Sequence, residues 1–216
     1  MTLIAAFSTP HFAVMIADRR RTQLDTGVYY DDVRKLHRVN DKAIVGFAGI
    51  YHHDGAGRFI GMAERTINNC MFRIEKDTPV DVVAQIYSQY VIGRIRSGVP
   101  KEIFEITFHL AGIDSNDRYV LARVSHFEDF EPIIVEPQAN GVIWGLSIAD
   151  YSPSAWLNEQ VSVMGDKSVE KVERLAKSVL LHTSQRDKYV SESYDILVMK
   201  ADTCTHEESN IHSMHC

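Results

Sequence analysis

Apolar residues gather in two short runs at the start of the chain, 2–7 and 12–17, on either side of the polar break Ser8-Thr9-Pro10-His11. That pattern predicts a strand, a tight turn and a second strand, with Asp18 at the strand end. A second pair, 35–39 and 43–48, flanks Asn40-Asp41-Lys42 and ends at Gly49. From about Gly57 the period changes. Phe59, Met62, Ala63, Ile67 and Met71 recur at three- and four-residue spacing, and Val82, Val83, Ile86, Tyr90 and Ile95 do the same after Thr78-Pro79. Both segments read as amphipathic helices, the second spanning 80–95. Strand-like runs return at 103–110, 119–124, 132–136 and 142–148, followed by a helix over 169–183 with one charged face and a last strand over 194–200. Strands, two helices, strands, a helix and a strand, without βαβ alternation, predict an α+β layered sandwich.

Composition narrows this picture without changing it. The chain has 216 residues, 45% of them hydrophobic, enough for one large core rather than two. The domain is expected to span 1–203, with 204–216 a polar, His-rich, disordered tail that lacks a periodic apolar face. The net charge is −6, and beyond Arg19-Arg20-Arg21 there is no basic block, which argues against nucleic acid as a partner. No run approaches the ~18 consecutive apolar residues of a membrane span, and no secretory leader is recognisable. A cytoplasmic protein is expected, and the three widely spaced cysteines, Cys70, Cys204 and Cys216, do not form a disulfide framework.

Candidate chemistry begins at Thr2. Removing Met1 would expose a residue that carries a hydroxyl and a free α-amine together, and the amine, with an ordinary pKa of roughly 7.7–8.0, can take the hydroxyl proton. Other constellations carry less. His52-His53-Asp54 sits in one short loop, where adjacent side chains seldom converge on a metal. Cys204, His206, His212, His215 and Cys216 are irregularly spaced, and Gly55-Ala56-Gly57 with Gly61 lacks the βαβ setting of a dinucleotide loop. No metal or organic cofactor is expected.

The series Thr2-Leu3-Ile4, Ile16-Ala17-Asp18-Arg19-Arg20-Arg21-Thr22, Lys35-Leu36, Gly46-Phe47-Ala48-Gly49 and Arg186-Asp187 with Ser191 resembles the proteasome β-subunit and HslV-like family of N-terminal nucleophile hydrolases. The resemblance implies a four-layer αββα sandwich, two antiparallel sheets packed face to face between helix layers. It implies that Thr2 is the nucleophile, that the Lys35 cation favours a neutral Thr2 amine, and that Asp18 keeps Lys35 charged and oriented. Gly49 would offer a backbone N–H to the oxyanion, and Asp187 with Ser191 would position the amine. For substrate, it implies that Thr22 and Gly49 pair with an extended peptide while Arg21, Val33 and Phe47 line the primary side-chain pocket, which would then favour small or acidic residues; the alternative is that Phe47 points into the core. It also implies a homo-oligomeric ring, for which the helix bearing Arg58, Arg65 and Arg73 and the helix bearing Tyr87, Tyr90 and Arg94 are the candidate contact faces.

Two departures stand out. The segment Asp187-Lys188-Tyr189-Val190-Ser191 is one residue longer than the family's, and where the family has Gly-Ser-Gly after a strand this chain has Ile143-Trp144-Gly145-Leu146-Ser147, leaving Ser147 as the substitute for an auxiliary serine. The expectation is a threonine-type amide hydrolase acting on peptide or protein through an acyl ester on Thr2. A peptide ligase or small-amide hydrolase on the same fold, and a catalytically silent ring subunit, remain open, as do the substrate and any regulatory ATPase.

Overall fold

The computed structural model describes residues 2–22, 28–49, 51–53, 59–139, 141–200 and 203–209. Its first strands are β1 (Ile4–Ser8), β2 (Phe12–Asp18), β3 (Arg21–Thr22), β4 (Tyr29–Tyr30), β5 (Leu36–Arg38), β6 (Ala43–Gly49), β7 (Tyr51–His53) and β8 (Phe59–Gly61). Two helices follow, α1 (Met62–Cys70) and α2 (Val80–Arg96), then β9 (Ile106–Ile113), β10 (Tyr119–Ser125), β11 (Ile133–Val135) and β12 (Ile143–Ser147). The chain continues through α3 (Ser154–Val163) and α4 (Val169–Ser184) to β13 (Tyr194–Lys200) and β14 (Thr203–Ser209).

Two five-stranded antiparallel sheets carry the fold, in the orders β12-β1-β2-β13-β14 and β11-β10-β9-β6-β5. The period of two along each strand explains why the first runs are apolar throughout: both faces are covered. On β1 and β2, Ile4, Ala6, Ala13, Met15 and Ala17 face the second sheet, in a cluster with Leu36, Ile44, Ala111 and Leu197. The alternate residues, Leu3, Ala5, Phe7, Val14 and Ile16, pack with Val172, Ala176, Val179 and Leu180 of α4. The outer side of the other sheet closes against Ala63 and Ile67 of α1 and Val83, Ala84, Tyr87 and Val91 of α2. Each fully buried Val, Leu, Ile, Phe or Met among these contributes about 1.5–3 kcal/mol, and each alanine less. The β1–β2 turn is fixed by Thr9, whose Oγ1 accepts from the N–H groups of His11 and Phe12 at 3.2 Å each.

Several expectations change. The apolar period near 59 opens as a short strand, and the helix starts only at Met62. The run at 103–110 is a 3₁₀ turn over Lys101–Phe104 followed by β9. The helix α3 was not expected, because Leu157 is its only fully buried residue and its period is correspondingly faint. Residues 204–209, assigned by composition to a disordered tail, belong instead to β14, which pairs along its length with β13; residues 210–216 lie outside the described residues. Tyr87, expected at a subunit contact, is fully buried against Phe108, their rings 5.1 Å apart. Arg58 and Gly55-Ala56-Gly57 also fall outside the described residues.

Candidate active site

β1 and β2 run side by side in a register that pairs Ile4 with Ala17, bringing the start of one strand to the end of the other. Thr2 and Asp18 therefore meet, and the segment entering β5 lays Lys35 across them. The Thr2 hydroxyl donates to Asp18 Oδ1, and Lys35 Nζ donates to Thr2 Oγ1, to Asp18 Oδ1 at 2.8 Å and to the Arg20 carbonyl at 2.6 Å. All three side chains are buried, at 5%, 0% and 4% exposure. A carboxylate so placed needs a full set of donors. Asp18 receives the N–H groups of Leu3 at 2.8 Å, Arg20 at 2.9 Å and Ser191 at 3.4 Å besides the ammonium. Burial pushes the Lys35 ammonium below its ordinary range, with Asp18 opposing the shift. A lysine in that condition gives up and recovers a proton more readily than one in water.

Arg20 is a supporting residue whose role sequence reasoning missed. Beyond its carbonyl bond to Lys35, its guanidinium grips Asp31 with two bonds of 2.8 and 2.9 Å, reaches the Lys188 carbonyl at 2.7 Å and lies 3.9 Å above the Tyr29 ring. It thereby ties the hairpin β3–β4 and the turn before β13 to the site. The run of three arginines hid this, because sequence alone does not say which one turns inward.

A cleft of about 470 Å³ opens beside Thr2, bordered by Gly49 at the end of β6, Thr107 and Ser125 on the second sheet, and Ser147 on β12. Thr107 Oγ1 and Ser125 Oγ lie 2.7 Å apart, and Arg123 on the same wall donates to Glu128 at 2.6 Å. Gly49 is demanded by close approach: a Cβ there would come 2.6 Å from Ile106 Cγ2 and 3.2 Å from the Glu105 carbonyl oxygen. The wall residues Thr107, Arg123 and Ser125 left no signal in the sequence beyond ordinary strand alternation.

Other expected residues fall elsewhere. Asp187 is buried, but its carboxylate accepts from the part-buried N–H groups of Asp150 and Tyr151, in the loop entering α3, and of Tyr189, at 2.8–2.9 Å. It makes no hydrogen bond with Thr2. Ser191 reaches the site through its backbone N–H on Asp18, while its hydroxyl donates to the Ser193 carbonyl at 3.0 Å. Phe47 and Val33 are buried in the core, Phe47 stacked on His37, so neither borders this cleft. Arg21 is bound twice by Asp32, and Thr22 pairs with Tyr29 in the β3–β4 hairpin. The preference for small or acidic residues, which rested on Phe47 and Arg21 as pocket walls, loses that support.

A family model described as proteasome subunit covers residues 2–199. The chain belongs to the proteasome subunit family. No curated protein matches it. Within the proteasome family, subunits usually assemble into oligomeric rings. No helix among the described residues is long and apolar enough to cross a membrane, and no group of three or more His, Cys, Asp or Glu converges there as a metal site.

Proposed function

We propose that this proteasome-family subunit is a threonine-type N-terminal nucleophile hydrolase that cleaves peptide or protein amide bonds. The observation that carries the reading is the Thr2 hydroxyl held between the Lys35 ammonium and the Asp18 carboxylate at the edge of an open cleft. Loss of Met1 frees the Thr2 amine. The hydroxyl oxygen then attacks the substrate carbonyl carbon while its proton passes to that amine, and the oxyanion so formed takes a backbone N–H at Gly49. Collapse breaks the C–N bond, the protonated Thr2 amine passes its proton to the departing amine, and an acyl ester remains on Thr2. Water, deprotonated by the same amine, releases the acid and restores the hydroxyl.

The sheets and their helices are read in this account as a four-layer αββα sandwich, and the subunit as part of a homo-oligomeric ring in the cytoplasm that encloses its nucleophiles. One alternative has its own support. Asp187 and the Ser191 hydroxyl bond away from Thr2, and Gly145-Leu146-Ser147 departs from the family's serine run, which favours a silent ring subunit. Hydrolysis of a fluorogenic peptide amide by the full chain, against Thr2→Ala, separates the two. Turnover lost in the variant supports the nucleophile; turnover surviving in Thr2→Ala removes it, and turnover absent from both supports the silent subunit.

A further inference from the structure

His109 is a buried polar side chain with no part in the chemistry above. It sits on β9, opposite Arg123 of β10 and Gly46 of β6 in the register, and is only 3% exposed. One of its ring nitrogens, Nε2, lies 2.8 Å from Ser147 Oγ, spanning the gap between the two sheets. Ser147 pairs with Ile4 on β1. Thr2 stands two residues before Ile4, so Thr2 and Ser147 share the face of their sheet that looks into the cleft, on a diagonal of about 7–8 Å. Both border that cleft. Gly145, two residues earlier on the same face, roofs the imidazole closely: a Cβ there would lie 3.5 Å from Nδ1.

Two uses of a Ser–His pair can be weighed. As a nucleophile and base, the pair needs an imidazole basic enough to take the serine proton. Burial, with the Arg123 guanidinium beside it, instead pushes His109 down to about 4. A base that weak does little to activate a hydroxyl near neutral pH. The second use needs no titration. A neutral imidazole fixed between two sheets has one donor and one acceptor nitrogen and can hold a hydroxyl in a single orientation. Ser147 borders the cleft at the end of β12, the edge strand of its sheet, and its hydroxyl keeps hydrogen-bonding capacity beyond the bond with His109.

We propose that Ser147 is a substrate-contacting residue of the Thr2 cleft, that His109 is the residue that positions it, and that the group contacted is a main-chain amide of an extended peptide near the scissile bond. This rests on the reading of Thr2 as nucleophile. His109 acts only through Ser147, so the two are coupled.

The test is a double-mutant cycle on kcat/KM for a fluorogenic peptide amide, with Ser147→Ala, His109→Leu, His109→Gln and the double variant Ser147→Ala/His109→Leu. Loss of one hydrogen bond predicts a fall of about tenfold for Ser147→Ala and for His109→Leu. The double variant should be no worse than Ser147→Ala alone, and His109→Gln, which keeps a polar atom near the Nε2 position, should recover most of the activity. Wild-type kcat/KM in Ser147→Ala, or losses that multiply in the double variant, would overturn the proposal and leave the Thr2 chemistry standing. Ser147→Ala removes one oxygen and keeps the fold, so the test survives if His109→Leu does not fold. Binding of a labelled peptide amide to Thr2→Ala protein, read by fluorescence anisotropy, is independent of turnover. A severalfold weaker affinity on adding Ser147→Ala supports the contact; unchanged affinity, or no binding in either protein, overturns it.

Discussion

On the β1–β2 side of the cleft, Thr2, Asp18 and Lys35 are buried and bonded to one another, whereas on the β12 side Ser147 is only partly buried and has its bond with His109 rather than with Thr2. The first wall contains opposite charges taken out of water. Such a pair is tolerable only when its geometry is fixed and its remaining hydrogen-bonding positions are filled, which is what the Leu3, Arg20 and Ser191 amides do for Asp18. Ser147 and His109 are instead a neutral hydroxyl and an uncharged imidazole, for which a lost partner costs much less. One side of the site should therefore tolerate substitution much less than the other.

The largest effect that could break this contrast is at Lys35. Lys35→Ala should reduce peptide hydrolysis by on the order of 10³-fold or more. It should also destabilise the fold by about 3–5 kcal/mol, because Asp18 is left as an unpaired buried charge. Thr2→Ala should match the activity loss with a much smaller change in thermal midpoint. Equal stability losses in the two variants would show that the wall is not organised around the ion pair.

The next effect sharpens the neutral side. His109 sits at about 4 in the folded chain, against roughly 6.5 when unfolded, so between those values the unfolded chain binds a proton that the folded chain refuses. Its stabilising share is complete above the unfolded value and is lost as pH falls toward about 4. A shift of that size is worth about 3 kcal/mol. Urea unfolding at pH 7 and pH 4.5 should therefore show a shallower loss for His109→Gln than for the natural chain; parallel losses would place His109 outside this balance.

Asp187 comes third. Asp187→Ala strands three backbone N–H groups and should cost about 1–3 kcal/mol, with a smaller effect on turnover than Lys35→Ala. An activity loss as large as that of Lys35→Ala would restore Asp187 to the chemistry of Thr2. The smallest effect is expected at Arg21, which is neutralised by Asp32 at a partly exposed position. Arg21→Ala should change stability by less than about 1 kcal/mol and leave the peptide preference as it was.

The same contrast explains what could be read from sequence. The strand pattern put Thr2 at the head of β1 and Asp18 at the end of β2, and the antiparallel pairing of those two strands converts that spacing into contact; the roles of Asp18 and Lys35 came from the resemblance, Lys35 entering the site from just before β5 of the other sheet. The edges of β13 and the helix α4 were legible because apolar alternation and helical period are strong there. The roles assigned to Asp187, Phe47 and Val33 came from resemblance, and where their side chains turn depends on loop amides and core space that no local pattern encodes. His109 was invisible because one histidine in an apolar strand reads as core until the opposite sheet brings Ser147 to it. β14 was missed because its pairing with β13 supplies backbone hydrogen bonds that composition does not register.

The central claim is that Thr2, once Met1 is gone, uses its own hydroxyl and amine on an acyl group. Intact-mass measurement of the purified full chain, before and after incubation with a peptide epoxyketone, tests this directly, because that reagent closes a ring only with a hydroxyl and an amine on the same residue. The account predicts a mass lacking Met1 and one adduct per chain, absent from Thr2→Ala. Met1 retained across the whole population, or a Met1-free chain that takes no adduct, would contradict it.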